Sequence, residues 1–236
     1  MSIDKARLVN CLAGMKKEYL ANPASSVRDQ SFINHLHNYC TEEIILAAES
    51  AGEQRIMNAQ TVEIPPRAPS FVVEADLKGS LWIVKEATLF GSHKPKNVDI
   101  AVIDLVNGPQ IIVGIRSQMS SVSKNTLTYY EEIIGDCISL HDRYPMAVVS
   151  YIYLLPKHSI KGGKAENVNL DRAEELFARI TGRDDWRDPK DKYEHFAFLK
   201  VDFGQDPPGL LETTELLAID NFFEKIISTY NKRKPL

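Results

Sequence analysis

The stretch that most constrains this chain is Met146–Leu155, MAVVSYIYLL, an almost unbroken apolar run of strand length rich in β-branched and aromatic residues. A strand with one wet face alternates polar and apolar residues. A continuous run predicts a central strand covered on both faces. Such a strand needs helices above and below it, and the rest of the sequence supplies them. Helical spacing is seen in residues 3–20 (Ile3, Leu8, Leu12, Met15, Tyr19), ended by Asn22-Pro23. A second helix starts near Ser26 or Asp29, carries Phe32, Ile33, Leu36, Tyr39, Cys40, Ile44 and Ala47, and stops at Gly52. Further helices are predicted over Lys124–Tyr144, Asp171–Thr181 and Thr214–Tyr230.

Between them lie short strand patterns at Phe71–Ala75, Leu81–Val84, Val98–Leu105, Gln110–Arg116 and Phe196–Phe203, with Asn107-Gly108 as a hairpin turn. Residues 60–70, with three prolines, read as an extended connection, and residues 157–169 as a mobile polar loop. The pattern predicts an α/β fold, a central mixed β-sheet flanked by helices. The 236 residues fit one domain over 1–236, with N-terminal helices in 1–55, a core in 70–156 and a C-terminal elaboration in 157–236.

Composition excludes several classes. At 44% hydrophobic and 25% charged residues the chain can bury a core, which argues against wholesale disorder. No apolar run approaches the roughly 20 residues of a membrane span, so no membrane is expected. The net charge of −4 gives no general attraction to nucleic acid, although a nuclease can confine its basic residues to one cleft. Three distant cysteines, no CxxC pair and no apolar leader predict reduced thiols and a cytoplasmic setting. The zinc pattern HExxH, the phosphate-binding P-loop and the GxSxG hydrolase turn are all missing.

The chemistry is concentrated in Lys94–Pro145. Asp99 begins a strand, a hairpin returns the chain, and the second strand ends at Arg116-Ser117-Gln118, before a helix carrying Glu131 and Glu132. By alternation Asp99, Ala101 and Ile103 share a face, as do Gly114, Arg116 and Gln118. If the hairpin pairs Asp99 with a residue near Arg116, an acid and a cation meet at the strand ends. That pairing suits metal-assisted phosphodiester hydrolysis, with the carboxylate on a divalent ion and the cation on transition-state charge. Asp99 as a turn cap, Arg116 as its structural partner, and Glu131 or Glu132 as solvated helix face are the plain structural readings of the same residues. Ser120, Ser121 and Ser123 can cap the next helix and still favour an anion at its start. Asp104 has the opposite parity from Asp99 and reads as structural.

These residues resemble the PD-(D/E)xK restriction-endonuclease-like superfamily, and more narrowly its type II enzymes with a core of the form WD…V-E-F-K-S-Q…E-E-A-x-G. Val98-Asp99 stands at WD, Val113–Gln118 at V-E-F-K-S-Q, Ser121–Asn125 in the Ser/Asn-rich bend, and Glu131–Gly135 at E-E-A-x-G. The likeness covers about 50 residues and implies a restriction-endonuclease-like fold, Mg²⁺, double-stranded DNA, a defence role and a symmetric homodimer. It implies catalytic roles for Asp99, Arg116, Gln118 and Glu132. It implies DNA contacts from Ser117, Ser121, Ser123, Lys124, Asn125, Lys94 and Lys96.

The sequence departs from the pattern where the acid of ExK is Gly114 and the lysine is Arg116. Arginine stays charged and cannot act as a lysine base would. Two explanations compete. Either the site has decayed and the chain is a DNA-binding or protein-interaction module, or the carboxylate has moved. The resemblance implies Glu132 as the replacement, then Glu131, with Glu43 (beside Glu42) from an early helix as a further metal ligand. A third reading makes the chain a subunit that binds a partner protein through its charged C-terminal third.

Overall fold

The computed structural model describes residues 3–21, 31–63, 81–161 and 164–234. Helix α1 spans Lys5–Ala21, α2 Asn34–Ser50 and the single turn α3 Gln54–Met57. Strand β1 (Gln60–Glu63) runs parallel to β2 (Leu81–Phe90), and β2 runs antiparallel to β3 (Pro95–Asp104). The hairpin turn with Gly108 at φ +79° leads to β4 (Gly108–Ser117), antiparallel to β3. Helix α4 (Val122–Arg143) then crosses over to β5 (Val148–Pro156), which is parallel to β4. A small hairpin, β6 (His158–Lys161) and β7 (Lys164–Asn167), precedes α5 (Leu170–Ala178). Strand β8 (His195–Asp202) lies parallel to β5, β9 (Gly209–Leu210) closes the edge, and α6 (Phe222–Arg233) ends the fold. The main sheet is mixed and seven-stranded, in the order β1-β2-β3-β4-β5-β8-β9.

The apolar run becomes β5, buried along its whole length between two parallel neighbours. Its even residues Ile152 and Leu154 pack with Leu8 and Leu12 of α1, Leu36 and Ile44 of α2, and Phe222 and Ile226 of α6. Its odd residues Tyr151 and Tyr153 pack on the other face with Ile133 and Cys137 of α4 and Phe177 of α5. Each large apolar side chain sealed in this way contributes about 1.5–3 kcal/mol. Helices thus cover both faces, giving an α/β fold with a central mixed sheet. Strand β8 and helix α6, within 157–236, share that sheet and core. Among the described residues no helix is long and apolar enough to cross a membrane.

Several boundaries differ from the sequence reading. Strand β2 extends well past Val84 because Ala87 and Leu89 resume burial after a polar interruption. Strand β3 begins at Pro95, so the turn before it is shorter than Gly91–Asn97. The polar stretch expected to be a mobile loop contains the β6–β7 hairpin. The last helix begins at Phe222 rather than Thr214, since Ala218 is extended at ψ 137° and breaks the helical run. The strand expected at Phe71–Ala75 and the helix start near Ser26 or Asp29 lie outside the described residues.

Candidate active site

The site grows out of a fork in the sheet. Strands β3 and β4 pair from Asp104↔Gly108 up to Ile100↔Val113 and then part. Beyond that point β3 stays with β2 through Pro95, while β4 stays with β5 through Ser117. A cavity of about 930 Å³ opens between the branches. Glu86 and Asp99 line it, with Lys94, Lys96, Arg116, Ser117, Gln118, Ser121 and Asn125.

Side-chain alternation slips where the strands part. Val84 and Ala87 both belong to the α4 face of the core, as do Val98 and Ala101, so one residue is displaced in each strand. Glu86 and Asp99 occupy those slips, and Glu86 has φ 54° in mid-strand. The only other non-glycine residue with positive φ among those described is Ser121, at 52°. Both line the cavity. A left-handed backbone costs a side-chain-bearing residue about 1–3 kcal/mol and concentrates at functional sites.

Asp99 accepts the Ile115 N–H at 2.5 Å through Oδ2, replacing the ladder bond lost at the fork. Its Oδ1 lies 3.3 Å from Nε2 of His37, on α2. The His37 side chain is 3% exposed, its Nε2 makes no hydrogen bond, and its Nδ1 lies 3.9 Å from Glu86 Oε1. His37 and Glu86 were missed in the sequence. His37 sits on the buried stripe Ile33–His37–Cys40–Ile44, and a histidine at a core position was the available signal.

Arg116 turns away from Asp99. It donates to Glu132 Oε2 at 2.9 Å and stacks on the Tyr129 ring, 4.3 Å from its centroid. Burial acts to lower its pKa, but the neighbouring tyrosines and Glu132 outweigh that and leave it raised. Gln118 is buried, with Oε1 accepting from Tyr153 OH at 3.0 Å and Nε2 donating to the Ser121 and Val122 carbonyls. Both amide ends are therefore engaged in holding the start of α4. Ser121 precedes that helix without a side-chain cap bond. Lys96, 8% exposed, is paired with Asp136 of α4. Ser117 Oγ and Ser150 Oγ are buried without hydrogen-bond partners, in residues that line the cavity.

Other sequence candidates lie elsewhere. Glu43 is buried and accepts from Arg7 at 2.9 Å, and Glu42 takes the same guanidinium. Burial raises the Glu43 pKa, with Arg7 opposing. Glu131 and Lys124 are exposed and do not line the cavity. Ser123 donates to Glu166 Oε1 at 2.8 Å. Asp104 binds Arg55 and the Val106 N–H, a structural arrangement. The buried order Cys137–His141–Glu194 superficially suggests a nucleophile, base and acid. Burial pushes the Cys137 thiol well up, and no substrate reaches it.

The backbone position where the resembled pattern has its glutamate is crowded. A Cβ at Gly114 would lie 2.5 Å from Cε2 of Tyr151, its partner on β5. Among the described residues no group of three or more His, Cys, Asp or Glu is assembled to hold a metal. Asp99 lines the cavity and could offer a carboxylate oxygen to an ion, whereas His37 Nε2, 3.3 Å from Asp99 Oδ1, is sealed and does not line the cavity. No family model, curated protein or solved structure matches the chain.

Proposed function

We propose that the fork cavity is the active site of a metal-dependent DNA endonuclease, in a restriction-endonuclease-like arrangement with a displaced metal corner. The observation that carries this reading is the fork itself. It brings the acids Asp99 and Glu86 and the cations Lys96 and Arg116 to one cavity, beside the start of α4. Phosphodiester hydrolysis needs that mixture of a carboxylate site and fixed positive charge. The exposed Lys94 and the half-buried Asn125 line the cavity and would serve as backbone or base contacts.

Asp99 would hold the ion, which supplies charge neutralisation and a more acidic water when bound. Arg116, fixed by Glu132 and Tyr129, offers its guanidinium to phosphate charge and cannot serve as a base. In the net step a water oxygen bonds to phosphorus, one phosphorus–oxygen ester bond breaks, and the leaving oxygen gains a proton. A palindromic site would call for a symmetric pair of chains.

The second reading is a nuclease-fold DNA-binding module without catalysis, and Tyr151 closing the Gly114 position favours it. Supercoiled plasmid and duplex fragments separate the two. EDTA-sensitive cutting that Asp99→Ala removes, with DNA affinity kept, supports the endonuclease. Mg²⁺-independent binding with no cutting under Mg²⁺ or Mn²⁺ supports the module.

A further inference from the structure

We propose that the fork cavity is a pocket for one unpaired nucleobase, stacked on the Arg116–Tyr129 layer and read by Asn125, with the flanking phosphates left at the rim. The inference deepens the endonuclease reading and rests on its DNA substrate, but it requires neither a bound ion nor cleavage. Size, charge and two side-chain arrangements carry it.

The cavity holds about 930 Å³. Sites that enclose a small organic group measure roughly 300–1,000 Å³, whereas a phosphate contact needs only a surface. A base within a duplex is stacked and paired, so it can fill an enclosed site only after leaving its stack.

The wall combines apolar and aromatic side chains, among them Ile33, Met119 and Tyr151, with a few polar groups. Its charges cancel, since Glu86, Asp99 and Asp136 stand against Lys94, Lys96 and Arg116. Lys96 is paired with Asp136, and Arg116 with Glu132. Lys94 is exposed and has no ion pair among the described residues, so it is the cation left for a phosphate at the rim. The interior has no surplus of positive charge to collect further phosphates. A neutral ring with polar edges suits it better.

The Arg116 guanidinium sits over the Tyr129 ring, 4.3 Å from its centroid, and the Arg116 side chain is still 34% exposed. Both residues line the cavity. Unstacked bases stack on aromatic rings and guanidinium planes. Here the bond from Arg116 to Glu132 sets that layer in advance. Asn125 lies one helical turn before Tyr129 on α4, so the two share a face. It lines the cavity, and its amide makes no hydrogen bond among the described residues. A free amide offers a donor and an acceptor side by side, which matches the edge of a base.

The test uses the whole chain in EDTA, at one fixed salt concentration because DNA affinity depends on salt. Fluorescence anisotropy compares a duplex carrying one unpaired adenine with the same duplex carrying an abasic residue there. A single strand is compared in the same way with a fully abasic strand. In at least one format the base-bearing probe should bind about tenfold more tightly than its abasic counterpart. A gain confined to the duplex marks an extruded base, and a gain confined to the single strand marks an unpaired strand. Tyr129→Ala and Asn125→Ala should each bring the ratio below about threefold. Equal binding of base-bearing and abasic probes in both formats, or a ratio kept by either variant, overturns the pocket. If Tyr129→Ala fails to fold, Asn125→Ala decides. Failure to bind any probe overturns the pocket and the endonuclease reading together. Base-independent binding with EDTA-sensitive cutting removes the pocket alone. A base-dependent ratio without cutting under Mg²⁺ or Mn²⁺ supports the pocket and removes the endonuclease reading.

Discussion

Gly114 and Tyr151 compete for one space. They face each other in the parallel register of β4 and β5, and a Cβ at 114 would meet the Tyr151 ring at 2.5 and 2.6 Å. Tyr151 is itself packed against Phe196, Tyr153 and Tyr193, which resist its displacement. Gly114→Ala should therefore cost about 1–3 kcal/mol by overpacking, a fall of several degrees in melting temperature. Gly114→Glu should be worse and should not improve metal affinity. An unchanged melting temperature for Gly114→Ala would show that the Tyr151 contact is easily relieved.

Glu132 is assigned here to Arg116, not to a metal. The pair is half-exposed, at 34% and 50% for the two side chains, and exposed pairs contribute little. Glu132→Ala is expected to change stability by less than about 1 kcal/mol and to leave Mn²⁺ uptake unaltered. Arg116→Ala, by contrast, should weaken DNA binding and flatten its salt dependence by roughly one phosphate contact. Anisotropy titrations at several salt concentrations measure both. Loss of Mn²⁺ uptake in Glu132→Ala would return that residue to the metal corner.

Glu194 is the buried acid on which acid stability turns. It accepts from the Val149 N–H at 2.9 Å, His141 at 3.0 Å, Arg233 at 2.7 Å and Arg183. Burial alone would raise its pKa, but hydrogen bonds and charge from His141 and Arg233 overcome that and hold it at about 2. The folded value lies below the ~4.3 of an unfolded glutamate. Its contribution is thus complete above about pH 4.3 and is lost as pH falls toward 2, on the order of 3 kcal/mol in all. Glu194→Gln leaves buried cations uncompensated and should cost about 3–5 kcal/mol at pH 7. Denaturant titrations should show a shallower loss of stability between pH 5 and 3 in the variant. Parallel pH profiles would contradict the assignment.

The layers of the fold were legible because β5 and the helical stripes obey simple periodicities. The hairpin β6–β7 was not, since its strands are short, polar and outside the main sheet. Within the site, Lys94, Lys96, Asp99, Arg116 and Asn125 came from one continuous stretch, and the structure brings all five to the cavity. Strict alternation misdirected the rest of the picture. The slip at Glu86 and Asp99 frees Asp99 from the face of Ala101 and turns it toward His37, leaving Arg116 to α4. A slip of that kind shows in backbone angles and pairing, and the sequence carries no glycine or proline at either position to announce it. His37 and Glu86 reach the site from α2 and β2, about 50 residues apart in sequence, so only the sheet register brings them together.

In the proposed reaction water attacks a DNA phosphodiester in the fork, and Asp99 is required. Cutting in ¹⁸O-water, followed by mass spectrometry of the fragment ends, tests it most directly. With Mn²⁺, wild type should place one ¹⁸O on the phosphate at each cut, and Asp99→Ala should yield no cut ends at unchanged protein stability. Intact DNA from folded, Mn²⁺-loaded wild type, or labelled ends made equally well by Asp99→Ala, would contradict the account.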